Sequence, residues 1–180
     1  MVAIDACSLV NLVRYYLPFD KDSILFNFIK NKVESHEIIV IDKVYDECDN
    51  IAKGIVTSTL PFLKENQTNT VECLPDARFF HLLNNDFVNA VNKKKLNAEE
   101  FEIQKIAFVE NADAKLLLFC KKNENLLIKP RIVTEETEGS NDNKLYKKIP
   151  TLCKGLDITP LTLPELLKEY DDIDINFNST

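Results

Sequence analysis

The β-branched apolar runs in this chain are short and far apart, with helical periodicity filling the intervals. Val2-Ala3-Ile4-Asp5, Ile38-Ile39-Val40-Ile41, Arg131-Ile132-Val133-Thr134 and a last run from Leu156 to Leu163 read as strands. Short strands alternating with longer helical segments predict βαβ units around a mostly parallel sheet, an α/β fold.

The helical intervals are specific enough to place. Ser8 is read as the cap of a helix carrying Leu9, Leu12, Val13 and Tyr16 and ending near Pro18. A second helix, 21–34, places Ile24, Leu25, Phe28 and Ile29 on one face, and a third, 44–55, bears Glu47. Residues 70–74 read as a short edge strand or an extended crossing. The middle, 75–111, reads as two helices, the second opening at Asn97 with Glu100 three residues on. A further helix covers 113–122, and Pro164 opens a last one over 165–170. Residues 1–170 are expected to form a single domain, and the polar tail 171–180 to be loosely ordered.

At 180 residues and 45% apolar content, the chain can bury one sizeable core. No apolar run approaches the roughly 18 residues that span a membrane. The first residues lack a basic n-region and carry Asp5 within the apolar run, unlike a signal peptide. Five cysteines are an odd count with no Cys-x-x-Cys pair, and Cys7, Cys120 and Cys153 suit buried free thiols, so a cytoplasmic protein is expected. The 22 basic against 29 acidic residues give a net charge of −7, which argues against broad nonspecific nucleic-acid binding. Most basic clusters (93–95, 121–122, 129/131) read as solvated faces. Lys144, Lys147 and Lys148 lie just past Glu136 and are the candidates for contacting phosphates.

Four carboxylates fall where a parallel sheet gathers ligands, outside the carboxyl ends of its strands. Asp5 ends the first run, Glu47 lies six residues past the second, Asp113 opens a helix, and Glu136 follows the third. Taken singly, each acid reads as a solvated surface group, and Asp5 or Asp113 could simply cap a helix. Converging, they would repel one another unless a hard cation neutralised them, which points to Mg²⁺ or Mn²⁺ and to phosphodiester hydrolysis.

These segments resemble the PIN-like metal-dependent nuclease superfamily, in particular a bacterial branch of small stand-alone domains. Ile4-Asp5-Ala6-Cys7-Ser8-Leu9-Val10 looks like its opening strand and turn. Val44-Tyr45-Asp46-Glu47 looks like its second-acid helix, and Ala112-Asp113-Ala114-Lys115-Leu116-Leu117 like its third. Ile132-Val133-Thr134-Glu135-Glu136 resembles its Thr-x-acid strand end, which selects Glu136 over Glu135. Lys148-Ile149-Pro150-Thr151-Leu152-Cys153 resembles a Lys-Ile-Pro-x-x-Cys signature of the same branch.

The resemblance implies a three-layer α/β/α domain and a ribonuclease holding one or two divalent ions on Asp5, Glu47, Asp113 and Glu136. Ser8 and Thr134 would support the site; Asp142, in the run Gly139-Ser140-Asn141-Asp142, could add a ligand but reads first as a solvated loop residue. It also implies an RNA substrate and a toxin role with an antitoxin partner or a homodimer; Tyr15 and Tyr16 could stack on bases but read first as helix-face packing. The alternative is a noncatalytic PIN-like module that binds RNA or a protein; a third option uses the acids only as helix caps. The chain departs from the pattern at Ala6 and Cys7, where hydroxyl residues are usual and hydrogen bonds around the first acid would be lost, and at the bulky Leu118.

Other chemistries find little support. Gly54, Gly139 and Gly155 build no phosphate-binding loop, and His36 and His81 are too few for a typical zinc site and read as surface residues. Cys7 occupies the place of an aspartyl phosphatase's second Asp, and it has no basic partner nearby in sequence to activate it as a nucleophile.

Overall fold

The computed structural model describes residues 1–139 and 144–170; the expectations for Asp142 and for the tail 171–180 lie outside them. The architecture is α/β, a three-layer α/β/α arrangement around a four-stranded parallel sheet. β1 (Val2–Ile4), β2 (Ile38–Ile39), β3 (Arg131–Val133) and β4 (Pro160–Leu161) run in the order β2-β1-β3-β4. Val2 pairs with Ile38 on one side and Arg131 on the other, and Ile132 pairs with Pro160. The central strand is buried at every residue, as a strand covered on both faces must be, which is why it reads as an unbroken apolar run.

Helices α1 (Ala6–Asn11), α2 (Ile24–Glu34), α3 (Asp42–Asn50), α4 (Ile55–Thr59) and α5 (Leu63–Asn66) occupy the first half. α6 (Ala77–Asn85), α7 (Ala90–Lys93), α8 (Ala98–Val109) and α9 (Ala112–Lys122) follow before β3, with α10 (Ile149–Gly155) and α11 (Leu163–Lys168) after it. α9 packs on β1 and β3 and is buried from Ala114 to Cys120, apolar on all sides except for Lys115. Lys115 is 3% exposed and reaches the Glu110 carboxylate at 3.3 Å. Among the described residues, no helix is long and apolar enough to cross a membrane.

Several local expectations change. The cap of α1 is Asp5, whose side chain accepts the Ser8 backbone N–H, so the helix begins two residues before Ser8. A π-helical turn, Leu12–Tyr16, continues α1. Ile24 is exposed, while Leu25, Ile29 and Val33 form the buried face of α2. Residues 71–72 form a turn rather than a strand, with Val71 and Leu74 exposed; the preceding Thr70 is held by Asp42 through its hydroxyl at 2.5 Å. The last strand shrinks to two residues because 156–157 form the turn that leaves α10, a helix unforeseen in sequence, with Asp157 at a φ of 57°. The Asn97–Glu100 capping box of α8 forms as read, and a second one, Thr162–Glu165, starts α11.

Gly155 ends α10 directly against the buried ring of Phe87, where an added Cβ would lie 2.6 Å from Phe87 Cε1. Gly155→Ala is expected to cost about 1–3 kcal/mol by overpacking. Thermal melting checks this, and an unchanged midpoint would refute it.

Candidate metal centre

Asp5 leaves the carboxyl end of β1 and turns into α1, so its carboxylate faces the backbone N–H groups of the helix start. It is 4% exposed and well supplied with donors. The Ser8 N–H donates to Oδ1 at 2.8 Å, and the Thr134 hydroxyl donates to Oδ2 at 2.5 Å from the end of β3. The Cys7 thiol donates to the same carboxylate at 3.1 Å. Burial and then the Asp5 charge push that thiol up to about 12, so it stays protonated and remains a donor. The turn therefore keeps a side-chain donor where a hydroxyl was expected. The Ser8 hydroxyl, expected to orient Asp5 or a water, is buried with no hydrogen-bond partner among the described residues, and its backbone N–H holds Asp5 instead.

Thr134 ties a second acid to the first. Its Oγ1 accepts the Glu136 N–H at 3.1 Å while donating to Asp5. Glu136 Oε2 accepts the Ile149 N–H at 2.8 Å, one of the unsatisfied donors at the start of α10. Glu135 points elsewhere and accepts the Leu163 N–H at the start of α11 at 2.6 Å. Adjacent acids thus serve two different helix starts, and Glu136 is the one that reaches the cleft.

That cleft, of about 100 Å³, is lined by Asp5, Cys7, Glu47, Asp113, Glu136 and Lys144, among others. All four acids singled out in the sequence meet there, from the ends of β1 and β3, from α3 and from the first turn of α9. Burial, then the charges of Glu136 and Glu47, push Asp113 up to about 7. Desolvation, then Asp5, raises Glu47. The Lys144 ammonium opposes both shifts. Asp113 makes no hydrogen bond among the described residues, and Glu136 Oε1 likewise has none.

This donor set fits a hard divalent cation: all four are carboxylates, their charges repel, and one lysine only partly compensates. The carboxylates surround the cleft without closing it. Among the described residues, no three His, Cys, Asp or Glu side chains are gathered tightly enough to form a metal cage.

Lys144, Lys147 and Lys148 all line two larger grooves of about 640 and 680 Å³ beside the acid cleft, and of the three only Lys144 also lines the cleft itself. Asp113 and Glu136 line the first of these as well, so the acid cleft opens directly into it. Tyr15 is 63% exposed and Tyr16 is half-buried against the core, and neither lines the acid cleft. His36 and His81 are exposed. Cys120 and Cys153 are buried free thiols, while Cys7 is half-buried at the site.

Sequence reading missed the Cys7 thiol, the Ile149 N–H and the wall that α8 supplies to the first groove through Gln104, Ala107 and Phe108. Asn111, the cap of α9, also lines that groove and was legible as an Asn just ahead of a helical run. A family model described as Domain of unknown function (DUF4411) matches residues 2–172. No curated protein and no solved structure matches the chain.

Proposed function

We propose that this chain, which belongs to the DUF4411 family, is a Mg²⁺- or Mn²⁺-dependent ribonuclease that hydrolyses RNA phosphodiester bonds. The observation that carries the reading is the meeting of Asp5, Glu47, Asp113 and Glu136 in one small cleft that opens into a groove edged by lysines. Asp5 and Asp113 would hold the ion directly, with Glu47 and Glu136 completing its surroundings. When bound, the ion would supply charge neutralisation at the phosphate and an activated water. Asp5 is fixed by three donors and offers a rigid anchor, whereas Asp113 and Glu136 Oε1 are left available. Lys144 stands between acids and groove, where its ammonium meets a phosphate arriving at the cleft.

The test is cleavage of a labelled single-stranded RNA in Mn²⁺, in EDTA and with Asp5→Asn. Cleavage in Mn²⁺ alone, lost in both controls, supports the reading; cleavage that survives EDTA or Asp5→Asn refutes it. A noncatalytic RNA- or protein-binding module is the second reading, favoured by Ala6 and Cys7 at the first-acid turn and by the net charge of −7. Stoichiometric RNA binding with no turnover in any divalent metal would select it.

Lys144 makes the two affinities move in opposite directions. Lys144→Gln is expected to tighten Mn²⁺ binding and weaken RNA binding, each by roughly fivefold, since unit charges about 4 Å apart in water exchange about 1 kcal/mol. The slope of log K against log salt for RNA should shrink by about 0.7. Calorimetry and anisotropy check these, and changes in the same direction would count against this placement of the ammonium.

A further inference from the structure

Helix α8 is apolar on two opposite sides, and only one of them is covered. Phe101, Phe108 and Val109 are buried against the core, as the inner face of a surface helix requires. Ile103 and Ile106 lie on the far side, 60% and 64% exposed, with Ala107 exposed beside them. Local preference does not account for these two residues. Isoleucine is a weaker helix former than alanine, glutamate or lysine, and an exposed one forgoes the gain of burial.

The apolar pair is bracketed by acids. Glu99, Ile103, Ile106 and Glu110 follow one another at alternating spacings of four and three residues, the pattern that lines side chains up to meet a second helix. Glu99 is exposed and makes no ion pair among the described residues. Glu110 keeps 59% of its side chain exposed, although one oxygen meets Lys115 at 3.3 Å. Lys105, the single basic residue of α8, turns away from this stripe: its side chain is 12% exposed and its ammonium lies over the Phe101 ring.

Charge decides what can cover such a stripe. RNA does not fit, because aliphatic side chains give bases no ring to stack on and the carboxylates repel phosphates. A second copy does not fit either. Antiparallel stripes would set Glu99 against Glu110, and parallel ones would set each glutamate against its own copy. A helix with apolar residues one turn apart and Lys or Arg at both ends matches the stripe along its whole length.

We propose that the outward face of α8 docks an amphipathic helix of a partner protein, apolar at its centre and basic at its ends. Neither isoleucine lines the acid cleft or the grooves beside it, so this face is separate from the candidate metal centre. It does not depend on the nuclease reading.

The experiment is a selection from a displayed library of helical peptides randomised along one face, in EDTA and without RNA. The library passes first over the Ile103→Ala/Ile106→Ala variant, which removes peptides that bind elsewhere, and then over the native chain. Retained peptides should carry apolar residues three or four apart, between Lys or Arg. The best of them, made synthetically, should bind the double variant about tenfold more weakly and Glu99→Gln about threefold more weakly by fluorescence anisotropy. Alanine is the best helix former, so the double variant keeps α8, and Glu99→Gln is an independent check on the charge. Retention of no peptide, acidic ends on those retained, or an affinity unchanged in both variants would overturn the proposal. So would a native dimer in sedimentation that the double variant abolishes, since the face would then belong to a second copy. RNA cleavage is not part of the readout, so this proposal and the nuclease reading fail separately.

Discussion

Asp113→Asn should abolish Mn²⁺ binding and, in the metal-free protein, raise stability at neutral pH. Asp113 is lifted from its ordinary 3.8 to about 7, first by burial and then by the carboxylates of Glu136 and Glu47. Below 3.8 it is protonated in both folded and unfolded chains and costs nothing. Between 3.8 and about 7 the unfolded chain is ionised while the folded one keeps its proton, so stability falls as pH rises. Above about 7 the loss is complete, of order 4 kcal/mol at about 1.4 kcal/mol per pH unit. Asparagine removes that loss. The variant should therefore match the native chain near pH 3.5 and exceed it at pH 8, by several degrees at about 2–4 °C per kcal/mol. Mn²⁺ reverses the order, because only the native chain gains the linked stabilisation of a bound ion. Melting curves at pH 3.5 and 8, with EDTA and with Mn²⁺, check all of this. A variant less stable than the native chain at pH 8 in EDTA, or equally stabilised by Mn²⁺, would refute it.

The second large effect is expected at Thr134, 2% exposed, whose hydroxyl serves two groups at once. Thr134→Val preserves the shape while leaving the buried Asp5 carboxylate short of a donor and the Glu136 N–H without its acceptor. Hydrogen bonds to charged groups contribute about 1.5–3 kcal/mol, and an orphaned N–H costs more, so a loss of roughly 2–4 kcal/mol is expected. Mn²⁺ affinity should fall about 10- to 100-fold, as it does when groups orienting a ligand are removed. Thr134→Ser keeps the hydroxyl and should restore most of both. Denaturant unfolding and calorimetry on the two variants check this; a valine variant as stable and as tight as the serine one would remove Thr134 from the site.

The four acids were legible because each sits next to an element whose boundary the sequence marks. Asp5 and Glu136 follow runs too apolar and β-branched to be anything but buried strands, and Asp113 opens a run of leucines. Glu47 required only that 44–50 be helical. The groove beside them was not legible in the same way. Gln104 and Phe108 share a helix with the exposed Ile103 and Ile106, so periodicity could not tell a groove wall from a core face. α10 was hidden by Pro150 near its start and by a length too short to show a period. Arg131 with Glu169 at 2.6 Å and Lys122 with Glu72 at 2.7 Å, outside the site, are surface contacts of small energetic weight.

By itself the sequence determined the class of fold and the positions of the acids. Both follow from local rules, namely strand length, helical spacing and the tendency of polar residues to collect where strands end. Only the tertiary structure decided how each acid is held and what stands beside it. It turned Glu135 toward α11 and Glu136 toward the cleft, gave Cys7 to Asp5 as a donor and placed Lys144 among the carboxylates. Those outcomes depend on contacts between residues as far apart as 5 and 134, and distances across a folded core leave no periodic trace along the chain.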